Sequence, residues 1–200
     1  NFAILSPTIF HNKSYIVEGD YKTLKIYKKK YKEVGKMIFH SAYKNPPEGD
    51  ISVDSVTGTA MLIDREKLKL INDWDTNIFN YFEDMDLCLR FRLKGYEIIK
   101  IRDAEVDHDA FASHDISFSK KMDFSRNWHH SWSRFYFLKK HTTNINAYKY
   151  GINVLIKSAF KSLFYIFFKK SKSITHFAKA YGTLFAILNL EPNYRPKIKT

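Results

Sequence analysis

Glu83, Asp84 and Asp86 set three carboxylates within four positions of the run Tyr81-Phe82-Glu83-Asp84-Met85-Asp86-Leu87-Cys88-Leu89-Arg90. Like charges this close repel unless a cation, a shared proton or solvent separates them, so at least one has a task beyond structure. A positioned carboxylate can take a proton from an attacking hydroxyl, and several can hold a divalent ion. The plainer task is to cap a helix, where a carboxylate accepts from orphan N–H groups and meets the positive end of the dipole. That is worth about 0.5–2 kcal/mol and needs one residue, not three. About twenty residues on, Val106-Asp107-His108 adds an imidazole. Taken alone His108 reads as an ordinary strand histidine; it becomes a metal ligand if its strand ends beside the acidic helix.

Positioning these groups requires particular elements. Leu87 with Phe91, and Leu89 with Leu93, recur at helical spacing over residues 86–94, and Gly95 supplies the stop. Residues 96–101 and 105–108 read as two strands. Upstream, residues 2–5 and 14–17 read as short strands around an Asn12-Lys13 turn, and the Lys- and Tyr-rich stretch 21–36 as a solvated excursion. Asn45-Pro46-Pro47-Glu48-Gly49-Asp50 must be loop. The β-branched Val53, Val56, Thr57 and Thr59 predict one extended strand over 51–63, in which Gly58 marks a close backbone approach or a bulge. Asp64 is the N-cap of a short helix, and Asn72-Asp73-Trp74-Asp75 is a turn.

From about residue 120 the pattern changes. Residues 122–141 form a helix both aromatic and basic, with Trp128 and Trp132 beside Arg126, His129, His130 and Arg134. Residues 153–168 are more apolar, but Lys157 and Lys161 would each cost roughly 3 kcal/mol at the centre of a spanning helix. The expectation is therefore an interfacial amphipathic helix, with Lys169, Lys170 and Lys172 facing anionic headgroups, or else a helix packed across the preceding domain. A further helix over 173–188 follows, closed by Pro192 and Pro196.

Composition bounds the function. The 200 residues carry a formal charge of +12, and 44% are apolar, which provides for a sizeable core and favours an anionic partner. The single cysteine, Cys88, excludes an internal disulfide and a thiolate zinc site, and fits a reducing compartment. The chain opens at Asn1 with no initiator Met or secretory signal, on what reads as a strand already in progress, so it is expected to continue a longer protein.

The ordered set Val56-Thr57-Gly58-Thr59-Ala60-Met61-Leu62-Ile63, Trp74-Asp75 and Ile78-Phe79, the acidic run, Gly95-Tyr96, then Val106-Asp107-His108 and Ser113 resembles the C-terminal half of a family 2 glycosyltransferase. The likeness is greatest to the bacterial rhamnosyltransferase-like branch that builds surface polysaccharides, and it covers roughly residues 6–141. It implies an α/β chain of GT-A type, a mixed and mainly parallel sheet flanked by helices. Residues 1–118 would form the acceptor side of the catalytic domain, and 119–200 a C-terminal, membrane-proximal region of amphipathic helices. The nucleotide-binding half, with its Asp-x-Asp metal motif, would precede Asn1; Asp84-x-Asp86 occupies the base position instead.

Carried over by motif, the resemblance makes Asp84 the general base and Glu83 and Asp86 its neighbours in orienting acceptor and loop. His108 becomes a ligand to Mg²⁺ or Mn²⁺, and Thr57, Gly58 and Thr59 lie against sugar or acceptor. Trp74 stands where relatives commonly have Phe after Gly, and Asn72-Asp73 replaces that Gly. Arg126-Asn127 falls where relatives place an Arg-Asn pair near the diphosphate. The implied partners are a nucleotide-sugar donor, a saccharide or lipid-linked acceptor and an anionic membrane surface, with the protein cytoplasmic and peripheral at the inner membrane. Three rivals remain at this stage: a non-catalytic membrane adaptor, a metal-dependent phosphohydrolase using Glu83, Asp84, Asp86 and His108, and a nucleic-acid-binding module. The last leaves the acidic run unexplained, since carboxylates repel phosphates without a metal.

Overall fold

The computed structural model describes residues 1–11, 14–15, 48–109 and 116–196. The Asn12-Lys13 turn, Ile16 and Val17, the excursion 21–36, Asn45 to Pro47 and Ser113 lie outside them. The chain is mixed α/β and divides into two compact units, one from residues 1–75 and 83–112 and one from 76–82 and 113–200.

In the first unit, strands β1 (Phe2–His11), β2 (Ser14–Tyr15), β3 (Ile51–Val53), β4 (Leu62–Ile63) and β5 (Glu97–Asp107) form one sheet in the order β2-β1-β5-β3, with β4 also pairing β1. The β1–β5 pairing is parallel and runs the length of both strands; β2 and β4 on β1, and β3 on β5, are antiparallel. The sheet is thus mixed, with its longest pairing parallel.

Three expectations about strands are corrected. Strand β1 does not stop at Leu5. Pro7 has no N–H for the ladder, and the strand passes it by a register shift between Pro7 and Thr8, where proline is tolerated. Opposite that shift, 96–101 and 105–108 are one strand rather than two. The Thr8 hydroxyl donates to the carbonyls of Ile101 and Arg102, at 3.2 and 3.3 Å, and the Arg102 N–H donates to Asp50 at 2.8 Å, so the irregular stretch keeps its hydrogen bonds. Conversely, the single strand expected over 51–63 is two short ones, β3 and β4, because the chain leaves the sheet after Val53 and turns near Gly58.

Local signals fix the helices. Asp64 caps α1 (Arg65–Leu70) by accepting from Glu66 N and Lys67 N at 3.0 and 3.1 Å. Helix α2 (Glu83–Leu93) has Glu83, Asp84 and Asp86 in its first turn and Arg90 and Arg92 in its last, which suits both ends of its dipole. It stops at Gly95, whose φ of 83° lies where a side chain would be strained, while Tyr96 N donates back to Phe91 O at 3.1 Å. Leu87, Cys88 and Phe91 of α2 pack with Ala3, Ile4, Val53, Val56, Ile71 and Ile98 as the unit's core.

The described residues of the second unit form a 3₁₀ turn (Ile116–Phe118) and the helices α3 (Ser119–His141), α4 (Asn144–Ile166) and α5 (Lys170–Ile187). Helix α4 begins nine residues before the expected 153, because Thr143 caps it by accepting from Asn146 N at 3.3 Å. Trp128, Phe135 and Phe137 of α3 are buried, and the Trp132 indole N–H donates to Leu190 O at 2.8 Å. Segment 76–82 belongs here: Ile78 and Phe82 are buried, and Ser133 Oγ donates to Asn80 O at 2.8 Å. No helix among the described residues is long and apolar enough to cross a membrane.

Candidate functional site

The acidic turn of α2 is entered through an uncommon backbone. Tyr81 and Phe82 both have positive φ, 66° and 70°, a region that bulky side chains seldom adopt and that costs about 1–3 kcal/mol per residue. Asn80 supports the turn by accepting the Tyr81 N–H on its side-chain oxygen at 3.0 Å. Such strain persists only where surrounding contacts over-determine it, and here it immediately precedes Glu83 and Asp84.

The three carboxylates have separate environments. Asp84 is half-buried; its Oδ2 accepts the Gly58 N–H at 2.9 Å and its Oδ1 the Met85 N–H at 2.7 Å. Both are charge-assisted, and together they fix the carboxylate against the turn after β3. That turn holds the other expected contacts: the Thr57 hydroxyl donates to the Thr59 hydroxyl at 3.2 Å, and Gly58 is exposed. A Cβ added at Gly58 would sit 3.8 Å from Asp84 Cβ, ordinary contact, so the backbone approach that glycine predicts is present without requiring glycine.

Glu83 differs. Its Oε2 is buried without a hydrogen-bond partner. Burial raises its carboxyl above the ordinary carboxylate range; a hydrogen bond from its own backbone N–H opposes the shift and the Asp84 charge adds to it. The first turn therefore pairs an anchored carboxylate with a neighbour whose pKa is raised by burial.

Asp86 has no exposed surface and receives Arg90 Nε at 2.7 Å, an i,i+4 pair within α2. Arg90 also donates through Nη1 to the carbonyls of Ile71 and Asp73 at 2.6 and 2.7 Å. Asp86 thus reaches, through Arg90, the turn in which Asn72 and Asp73 adopt left-handed φ of 62° and 54° and from which the exposed Trp74 projects. Arg90 is the residue that the motif-based reading of the site leaves out, although Asp86-x-x-x-Arg90 is a legible helical ion pair.

The structure therefore brings Thr57, Gly58, Thr59, Glu83 and Asp84 to one place, with Asp86 and Trp74 joined through Arg90. His108 stands just beyond the end of β5, its backbone N–H donating to Phe10 O at 2.7 Å. Among the described residues no three His, Cys, Asp or Glu side chains gather into a group able to hold a metal ion. Arg126 belongs to the second unit, where it pairs with Asp123 of its own helix at 3.2 Å.

His129 and His130 of that unit are packed, as expected. His129 Nε2 lies 2.9 Å from Tyr194 O and its ring sits against Phe79, while burial, then Arg134 and Lys179, push His130 down to about 4. A cleft of about 410 Å³ in the same unit is lined by Trp132, Tyr136, Lys139, Lys140 and Glu191, and by none of the site residues expected from sequence. Comparison of the chain with family models, with curated proteins and with solved structures returned no match.

Proposed function

We propose that this chain carries the acceptor side of an inverting glycosyltransferase of GT-A type, which moves a sugar from a nucleotide-sugar donor to a saccharide or lipid-linked acceptor in cell-surface polysaccharide synthesis. The observation that supports the reading best is the hydrogen bond between Asp84 and Gly58 N–H. Two motifs of the resemblance, separated in sequence, meet at a partly accessible carboxylate.

In this reading an acceptor hydroxyl lies against Asp84 and the Thr57 to Thr59 turn. As its oxygen bonds to the anomeric carbon, its proton passes to Asp84, and the bond from that carbon to the diphosphate oxygen breaks with its electron pair leaving on the nucleoside diphosphate. General-base help of this kind contributes about 10²–10⁴-fold. Glu83, whose carboxyl holds its proton to higher pH than an ordinary one, lies beside Asp84 in the same helical turn. Asp86 and Arg90 hold the turn that presents Trp74 to a sugar face. A Mg²⁺ or Mn²⁺ ion would stabilise the departing diphosphate. Among the described residues His108 is the ligand the resemblance implies, with further ligands from the donor or from the nucleotide-binding half, and no step here is routed through the ion.

The test is release of nucleoside diphosphate from a panel of nucleotide sugars by the full-length protein, with and without saccharide acceptors. Release that requires an acceptor supports transfer. Release at the same rate without one is the behaviour of the phosphohydrolase, and no turnover of any donor is that of the adaptor; either would overturn the proposal.

A further inference from the structure

Helix α4 is built with its residue sizes reversed. The side chains it buries are Ala147, Gly151, Ser158 and Ser162, all small. The side chains it exposes are large and apolar, and Ile152, Ile156, Phe160 and Phe164 follow one another at intervals of four along one face. The stripe runs into the turn before α5, where Phe167 and Phe168 are 85% and 72% exposed.

The contacts between helices follow the same logic. Ser162 and Ser173 exchange hydrogen bonds from hydroxyl to carbonyl between α4 and α5, at 3.1 and 2.8 Å, with both residues buried. Gly182 of α5 lies so close to α3 that an added Cβ would fall 2.2 Å from Trp128 O. Small residues at the contact, hydroxyls bonded across it and bulky apolar side chains turned outward are how helices associate in an apolar solvent rather than in water. Yet no described helix is apolar enough to span a bilayer.

Charge identifies the surface. Between Asp123 and Glu191 the sequence contains no Asp or Glu, whereas Lys149, Lys157 and Lys161 line the row of α4 beside the apolar one, and Lys169, Lys170 and Lys172 follow the tip. Burial, then Lys161 and Arg134, lower the Lys179 pKa, as expected where cations crowd together.

We propose that the α4–α5 hairpin docks flat on an anionic lipid bilayer, with the Phe160, Phe164 and Phe167 side inserted at the acyl boundary and the lysine row on lipid phosphates. This goes beyond the catalytic reading and does not depend on it. Lysines beside the apolar row suit headgroups, which carry negative charge at the level where an interfacial helix lies.

The test is co-sedimentation of the 200-residue chain with vesicles of phosphatidylcholine alone or with 30% phosphatidylglycerol, as about a third of the lipid. The expected result is binding to the anionic vesicles only, weakened by salt, lost in the Phe160→Ser/Phe164→Ser/Phe167→Ser variant and reduced about fivefold by each of Lys157→Glu and Lys161→Glu. These positions are exposed, and circular dichroism of each variant is the check that it folds. Failure to bind anionic vesicles, or equal binding by the triple variant, overturns the proposal. So does a dimer in light scattering that the triple variant makes monomeric, which would assign the face to a second copy. Asp84→Asn should leave vesicle binding unchanged, so loss of the catalytic reading and loss of this one are separate results.

Discussion

Asp84 Oδ2 accepts a 2.9 Å hydrogen bond from the backbone N–H of Gly58, a residue 26 positions earlier in the chain. The donor is the backbone and the glycine's Cβ position is open, so the two functions of this residue can be separated. Gly58→Ala keeps the N–H, meets Asp84 only at ordinary contact distance, and is expected to stabilise by about 0.4–1 kcal/mol through the unfolded chain. Gly58→Pro removes the donor and should lose about 1–2 kcal/mol together with transferase turnover. Urea unfolding of the two variants measures the difference; equal stability would show that the hydrogen bond carries no weight.

Asp86 and Arg90 form a pair in which the carboxylate is fully buried and the guanidinium also satisfies two carbonyls of the preceding turn. Truncating one partner leaves the other charge in a poor environment. Asp86→Ala is expected to destabilise by about 3 kcal/mol. Arg90→Lys should not restore wild-type stability, because an ammonium cannot bridge Asp86, Ile71 O and Asp73 O in one plane. Denaturation midpoints check both.

The pH dependence has opposite signs at two residues. His130 is pushed down to about 4 from 6.5, chiefly by burial, so between those values the unfolded chain binds more protons than the folded one. Its contribution is complete above pH 6.5 and is lost as pH falls toward 4. Glu83 is raised above 4.5, so the folded chain holds the extra proton and stability falls as pH rises through the window that opens there. In thermal melts from pH 4 to 7, His130→Phe should lessen acid destabilisation, and Glu83→Gln should raise the melting temperature toward neutral pH. A stabilised but less active Glu83→Gln would mark stability given up at the site for function.

Gly182 tests the small-residue packing of the second unit. Its added Cβ would overlap the Trp128 carbonyl, a backbone atom that cannot rotate away. Gly182→Ala should cost about 2–3 kcal/mol, the upper part of the range for overpacking. Gly151→Ala meets instead the Phe135 ring, a side chain able to shift, and should cost less; the order of the two melting temperatures is the measurement.

Local chemistry was legible in the sequence and long-range geometry was not. The Asp64 cap, the turn at Asn72 to Asp75 and the stop at Gly95 each depend on a few neighbouring residues, and each is found where those residues predict it. Strand β1 continues past Pro7 because Thr8 supplies hydrogen bonds to residues more than 90 positions away, which no local pattern encodes. The left-handed turn at Tyr81 and Phe82 gives no warning either, since aromatic residues do not ordinarily signal positive φ. In the site, crowding pointed to the acidic run, but only the fold separates its members into an anchored Asp84, a Glu83 whose pKa burial raises and a buried, paired Asp86. The apolar character of α4 was readable, and an interfacial helix was one of its two expected placements; which residues it buries was not, because a helix packed on its own domain ordinarily buries the larger side chains rather than Ala147, Gly151, Ser158 and Ser162.

The central claim, that Asp84 is the base for sugar transfer, is tested most directly by acceptor-dependent release of nucleoside diphosphate from the full-length protein with Asp84 or with Asn at that position. Asparagine can still accept the Gly58 N–H on its one carbonyl oxygen, but it gives up the Met85 bond and the charge, so the turn is weakened while the base is lost. The account predicts a fall of at least about 10²-fold in turnover, measured on folded protein, with a loss of stability of only about 1–2 kcal/mol from the missing Met85 bond. Full activity in Asp84→Asn would contradict it.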